Sequence, residues 1–171
     1  MILIGLSGKK RSGKNTVAKL IATAASVPVQ EFAFADELKN EVCSLLHITR
    51  VTLEENKEMY RPFLQALGVL RRESINADYW VNKVGVKILN SSSEIVVITD
   101  VRFKNEAEFV RKCGGVVVRV NRGLSVDEHC SETELDDYKF DFVIDNNSTL
   151  NSLLEDTKRL LHNLRIPLKQ N

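Results

Sequence analysis

Apolar residues recur along this 171-residue chain in two alternating patterns. Short, nearly continuous apolar runs at Ile2–Leu6, Val29–Phe34, Ile95–Thr99, Val116–Val120 and Phe140–Ile144 read as strands buried on both faces. Between them the spacing turns helical. Lys14–Ala25 puts Val17, Leu20 and Ile21 on one side, and Asp36 stands as a cap before Leu38, Val42, Leu45 and Leu46. Thr52, with Glu55 three residues on, has the spacing of a capping box. The helical region it opens is expected to continue around Pro62 to Leu67, with Gly68 as its stop. Asp78–Leu89 carries Val81, Val84 and Ile88 on one face, Asn105–Cys113 ends at Gly114-Gly115, and Leu150–Leu164 closes the chain.

Apolar strands alternating with helices predict an α/β fold: a mostly parallel five-stranded sheet with helices on both faces. The pattern is that of one domain over 1–171, with a helix-rich insertion at 36–90 and a polar, lid-like loop at 121–137. Sheets of this kind bind ligands beyond the carboxyl ends of their strands.

Composition adds mainly exclusions. A net charge of +1 gives no overall field to attract nucleic acid or an anionic membrane, so affinity for phosphate has to be local. The apolar run at Ile95–Thr99 is too short to span a bilayer, and Met1-Ile-Leu-Ile-Gly5 lacks the basic start of a signal peptide. Cys43, Cys113 and Cys130 are widely spaced without a CxxC pair, which predicts reduced thiols, at least one of them in the core. A cytoplasmic protein is expected.

The strongest chemical signal follows the first strand. Gly8-Lys9-Lys10-Arg11-Ser12-Gly13-Lys14-Asn15-Thr16 has the G-x-x-x-x-G-K spacing of a phosphate-binding loop, after a strand and before a helix. Its backbone N–H groups and the positive end of the helix suit a triphosphate, and Lys14 suits the β- and γ-phosphates. Lys9, Lys10 and Arg11 are either further phosphate contacts or a solvated basic loop. The residue after the lysine is Asn15 in place of the usual Ser or Thr, so Asn15, Thr16 and Asp100 are all candidate Mg²⁺ contacts, direct or through water.

Asp100 and Arg102, at the end of the Ile95–Thr99 strand, are candidates for the reacting centre; a helix cap and a surface ion pair are the lesser reading. Arg61 and Gln65 lie four apart on one helix face, suiting a phosphate and a base edge, or simply water. Arg119 and Arg122 flank the end of the fourth strand, ahead of His129, Ser131 and Glu132. Trp80 is either core or a stacking surface.

The chain resembles the deoxynucleoside monophosphate kinases of tailed bacteriophages, within the adenylate-kinase-like branch of P-loop proteins. Four blocks carry the resemblance: Leu6–Thr16; Arg61–Gly68 with Tyr79-Trp80-Val81; Thr99–Ala107 with Gly114-Gly115; and His129–Glu132 leading to Asp141–Asn146. It departs at Asn15, where these proteins often carry Asp, and at Gly68-Val69-Leu70, where many have Gly-Thr and an acidic residue.

The resemblance implies transfer of the γ-phosphate of ATP, with Mg²⁺, to a deoxynucleoside 5′-monophosphate. It implies that Gly8, Lys10, Arg11, Ser12, Gly13, Lys14, Asn15, Thr16 and Arg119 hold ATP, and that Lys14, Asp100, Arg102 and Arg122 serve the transfer. Asp36, Lys39, Arg61, Gln65, Arg72, Trp80, Asp100 and Glu132 fall on the acceptor side. It leaves a homodimer open, and a host cytoplasm if the protein is phage-encoded. A dephospho-coenzyme A or phosphomevalonate kinase, or a nucleotide-binding regulator without catalysis, are the other readings of the loop.

Overall fold

Ile2–Ser7 forms β1, buried from Leu3 onward, and the other expected strands follow in order. They are β2 (Val29–Phe32), β3 (Ile95–Val101), β4 (Val116–Asn121) and β5 (Phe142–Asp145). The structure, a computed structural model, describes residues 1–123 and 134–169. The strands make one sheet in the order β2-β3-β1-β4-β5, and all four pairings are parallel. The helices are α1 (Lys14–Ala24), α2 (Phe34–Leu46), α3 (Arg50–Glu55), α4 (Lys57–Ser74), α5 (Tyr79–Leu89), α6 (Lys104–Lys112) and α7 (Leu150–Asn163).

Met1–Phe32 and Ser91–Asn171 form one compact unit, which contains the sheet. Ile4 and Leu6 of β1 share a core with Val17 and Ile21 of α1 and with Leu153, Leu160 and Leu161 of α7. Gly5 points to the opposite face, as alternation along a strand requires, and a Cβ there would lie 3.0 Å from Val110 of α6. Helices therefore lie on both faces of β1.

Ala33–Asn90 forms the second unit, built of α2 to α5. Val42, Leu53, Leu64 and Leu67 make its core, with Cys43 packed at the edge. Of the thiols, Cys43 is half-buried and Cys113 exposed; Cys130 lies outside the described residues.

Three local expectations are corrected here. Asp36 does not cap α2; Ala33 is the cap residue, because the helix begins at the buried Phe34, and Asp36 sits in the first turn. The cap of α3 is Thr49, whose hydroxyl accepts from the Thr52 N–H at 3.1 Å, so the capping-box spacing at Thr52 and Glu55 does not mark a start. Gly68 does not end its helix. α4 runs on to Ser74 because Leu64, Leu67 and Gly68 are buried on one side and Arg71 is anchored beyond them, which outweighs a glycine penalty of about 1 kcal/mol.

That anchor is Glu41 of α2. Its carboxylate accepts from Arg71 Nε at 2.5 Å, Tyr79 Oη at 2.8 Å and Lys83 Nζ at 2.9 Å, tying α2 to α4 and α5. Burial alone would raise its pKa; hydrogen bonds from Lys83, Tyr79 and Arg71 outweigh burial and hold it below the ordinary 4.5. A lowered carboxyl pKa contributes stability that is fully present above about pH 4.5 and lost as pH falls through the folded value. Glu41→Gln is expected to cost about 2 kcal/mol at pH 7, with the deficit shrinking as the wild-type carboxylate protonates. Urea midpoints of both proteins at pH 7 and pH 3.5 would check this; a deficit unchanged between the two would rule out the charge.

Candidate active site

The phosphate-binding loop is built at the carboxyl end of β1. Ser7 pairs with Val101 on one side and with Arg119 on the other, so the ends of β3 and β4 flank the loop's root. β3 extends past Thr99, which puts Asp100 inside the strand, one residue from Ser7's partner, rather than beyond its end. The β1–β3 register shifts between Gly5 and Ser7, at the level of Asp100. Lys14, Asp100, Arg102 and Arg119 thus gather at one edge of the sheet, where parallel strands place their ligands.

Within the loop, Gly8 has φ 147° and Gly13 φ 103°, conformations that exclude a side chain at little cost only for glycine. The space is taken by protein. A Cβ on Gly8 would lie 2.3 Å from the Val120 carbonyl oxygen, and one on Gly13 would lie 2.3 Å from Asn146 Nδ2. Arg11 also adopts a left-handed φ of 65°. Ser12 N–H donates to the Lys9 carbonyl at 3.1 Å, closing a turn, and the buried Ser12 Oγ has no hydrogen-bond partner among the described residues.

Lys14 is only 9% exposed, and its Nζ donates to the carbonyls of Gly8, at 2.5 Å, and Lys9, at 2.9 Å. The first backbone bond of α1 runs from Val17 N–H to the Gly13 carbonyl. α1 has no side-chain cap and no acidic residue in its first turn, so no carboxylate of its own offsets the positive end that faces the loop. Asn15 and Thr16 are exposed at that end. The arrangement fits a polyphosphate.

Around it, Arg102 N–H and Phe103 N–H both donate to Glu106 Oε2, at 2.8 and 3.1 Å. Glu106, 2% exposed, supplies the cap that Phe103 cannot, and so fixes the backbone that presents Arg102. Its position, three residues into the helix, was a legible signal. Asp136 had none: it pairs with Arg119 at 3.0 Å and with Lys9 at 3.6 Å, while the Arg119 guanidinium lies 5.3 Å over the Phe140 ring. Arg122 is exposed just beyond β4.

The remaining candidates belong to the second unit. Asp36 accepts from Arg50, and Lys39 pairs with Glu54 at 2.7 Å. That hydrogen bond from Lys39 holds the Glu54 carboxyl below its usual range. On α4, Glu58 chelates Arg61 through Nε at 2.9 Å and Nη2 at 2.5 Å, and Gln65 is exposed one turn on. Arg72 Nη1 and Trp80 Nε1 each donate to the Gly68 carbonyl at 3.2 Å. Trp80 is 2% exposed, packed edge-on against Tyr79. Glu132, with His129 and Ser131, lies outside the described residues, as does most of the 121–137 loop.

Residues 41–157 match the deoxynucleotide monophosphate kinase family. The chain belongs to that family. A deoxynucleotide monophosphate kinase is a phosphotransferase, and both the loop and the fold accord with that chemistry. The chain is also 32% identical over 180 residues to a putative deoxynucleotide monophosphate kinase of Acanthamoeba polyphaga mimivirus, covering 88% of this chain and 91% of that one. Among solved structures it is similar to TT1252 from Thermus thermophilus, with TM-score 0.55, 17% identity and coverage of 95% and 97% of the two chains. Shikimate kinase from Aquifex aeolicus gives TM-score 0.53, 17% identity and coverage of 96% and 98%. At such identity these two speak for the fold alone, a P-loop kinase architecture. Among the described residues, no helix is long and apolar enough to cross a membrane.

Proposed function

We propose that this kinase transfers the γ-phosphate of ATP to a deoxynucleoside 5′-monophosphate, yielding ADP and the deoxynucleoside diphosphate, in the cytoplasm. The observation that carries the proposal is the Gly8–Thr16 loop, closed by Lys14 and flanked by the ends of β3 and β4, in a chain of this family. Gly8, Lys10, Arg11, Ser12, Gly13, Asn15 and Thr16 hold the triphosphate, with Arg119 at its side. Lys14 Nζ leaves the Gly8 and Lys9 carbonyls for the β- and γ-phosphate oxygens and follows the charge through transfer.

Asp100, Arg102 and Arg122 act at the reacting centre: Asp100 orients the acceptor phosphate or the metal's water, and the arginines offset charge on the transferring group. Asn15, Thr16 and Asp100 would hold Mg²⁺, which would supply positive charge to offset that of the phosphates when bound. Asp36, Lys39, Arg61, Gln65, Arg72 and Glu132 serve the acceptor side. Trp80 belongs to the acceptor side as well, holding α5 against α4 through the bond from its indole N–H to the Gly68 carbonyl.

ADP release measured with each deoxynucleoside monophosphate, with ribonucleotides, and with dephospho-coenzyme A, phosphomevalonate and shikimate as acceptors tests the proposal. Turnover is expected with at least one deoxynucleoside monophosphate at a kcat/KM exceeding that of any non-nucleotide by two orders of magnitude or so, within the usual enzyme range. Activity confined to a non-nucleotide acceptor overturns it, and ATP binding without any phosphorylated acceptor would make the protein a nucleotide-binding regulator.

A further inference from the structure

Lys14 poses a difficulty for the loop it belongs to. Its ammonium ties the Gly8 and Lys9 carbonyls together, and that tie is broken when the ammonium turns to phosphate. A loop that loses one of its internal ties at the moment of binding spends conformational freedom unless its remaining contacts hold it. The structure contains such a hold. Asn146, the first residue beyond β5, donates from Nδ2 to the Ser12 carbonyl at 2.9 Å, across 134 positions of sequence.

Three details make this a built contact. Because the partner is a carbonyl, the amide must present its nitrogen, and no carboxylate or hydrocarbon of the same shape can replace it. The Asn146 backbone is itself fixed, its N–H donating to the Asn121 carbonyl at the end of β4 at 2.7 Å. The amide also occupies the space where a side chain at position 13 would stand, 2.3 Å from a Cβ built on Gly13. The second glycine of the loop therefore admits Asn146. Next to it, Asn147 Oδ1 accepts from Gly123 N–H at 2.7 Å, so the β5 exit is bound to the β4 exit on both sides of the amide.

We infer that Asn146 is a positioning residue for nucleotide binding: it holds the Ser12–Gly13 half of the phosphate loop in its binding shape while Lys14 exchanges loop carbonyls for phosphate. It touches neither phosphate nor acceptor; it acts through the loop backbone. The inference rests on the proposal that this loop holds ATP.

The test compares Asn146→Ala and Asn146→Asp with wild type by direct binding of a non-hydrolysable ATP analogue, by steady-state kinetics in both substrates, and by thermal melting. Asn146→Ala removes one neutral hydrogen bond, so analogue affinity is expected to fall about five- to tenfold. Asn146→Asp sets a carboxylate against a carbonyl beside the phosphates, and its affinity is expected to fall further, by about a hundredfold. In both, KM for ATP rises in step, KM for the acceptor is unchanged, and melting shifts by no more than a few degrees. Wild-type affinity in both variants, or KM for ATP and acceptor rising together with a lowered melting temperature, overturns the inference. If wild type itself does not bind the analogue, the underlying assignment of the loop fails instead.

Discussion

Replacing Lys14 with alanine is expected to lower kcat roughly a thousand-fold, equivalent to about 4 kcal/mol of transition-state stabilisation, while the fold survives. The size follows from where the ammonium sits. It is almost fully buried and donates to two loop carbonyls, whose partial charge is far weaker than that of a polyphosphate. The charge is thus held in place before nucleotide arrives and costs little reorganisation when phosphoryl transfer moves negative charge across the γ-oxygens. The aliphatic stem contributes packing, so Lys14→Ala should lose some stability, whereas Lys14→Met keeps the stem and should melt within a few degrees of wild type. ATP-analogue binding should weaken far less than kcat, because backbone N–H groups and the α1 terminus remain. Either variant retaining more than a tenth of wild-type turnover would remove Lys14 from the chemistry.

Why this residue could be found from sequence, and others not, is a matter of range. The loop's determinants lie within nine consecutive residues, and the strands before and around it are buried on both faces, so their apolar runs are continuous. Helix ends were less legible because competing tertiary contacts decide them. Thr49 and Thr52 are equivalent caps by composition, and Gly68 looks like a terminator until Leu64, Leu67 and the Arg71–Glu41 pair carry the helix past it.

Residues whose role depends on a distant partner left no local trace. Asn146 reaches Ser12, and Asp136 reaches Arg119 and Lys9, through pairings that exist only once β4 and β5 lie side by side. Trp80 reads from sequence as either core or a stacking surface; its burial and the bond from its indole N–H to the Gly68 carbonyl depend on α4 and α5 packing together, which spacing does not show. The acceptor candidates Arg61 and Lys39 are held by Glu58 and Glu54, so their spacing alone did not show how they are aimed.

The glycines separate the two kinds of information most sharply, and one paired substitution should show it. Gly8→Ala is expected to destabilise the protein by about 3 kcal/mol and to abolish measurable ATP binding. A Cβ there would stand 2.3 Å from the Val120 carbonyl oxygen and 2.6 Å from Ser12 Oγ. The first of these is backbone in the sheet interior and cannot swing aside, so β4 and the loop must part. The φ of 147° adds strain of its own. Displacement by even 1 Å at this point moves the loop off the α1 terminus, and phosphate then loses both the N–H groups and the helix end together.

Gly68→Ala should have the opposite sign. Position 68 is inside α4, and its Cβ would meet only Leu38 Cδ2 at 3.5 Å and Arg72 Nη1 at 3.7 Å, ordinary contact with movable side chains. Removing a glycine from a helix interior is then worth up to about 1 kcal/mol of added stability. Chemical denaturation of the two variants with wild type reads both shifts in one series. If the two alanines shift stability in the same direction, the distinction between a glycine required by close approach of backbone and one merely tolerated in a helix fails, and with it the steric account of the loop.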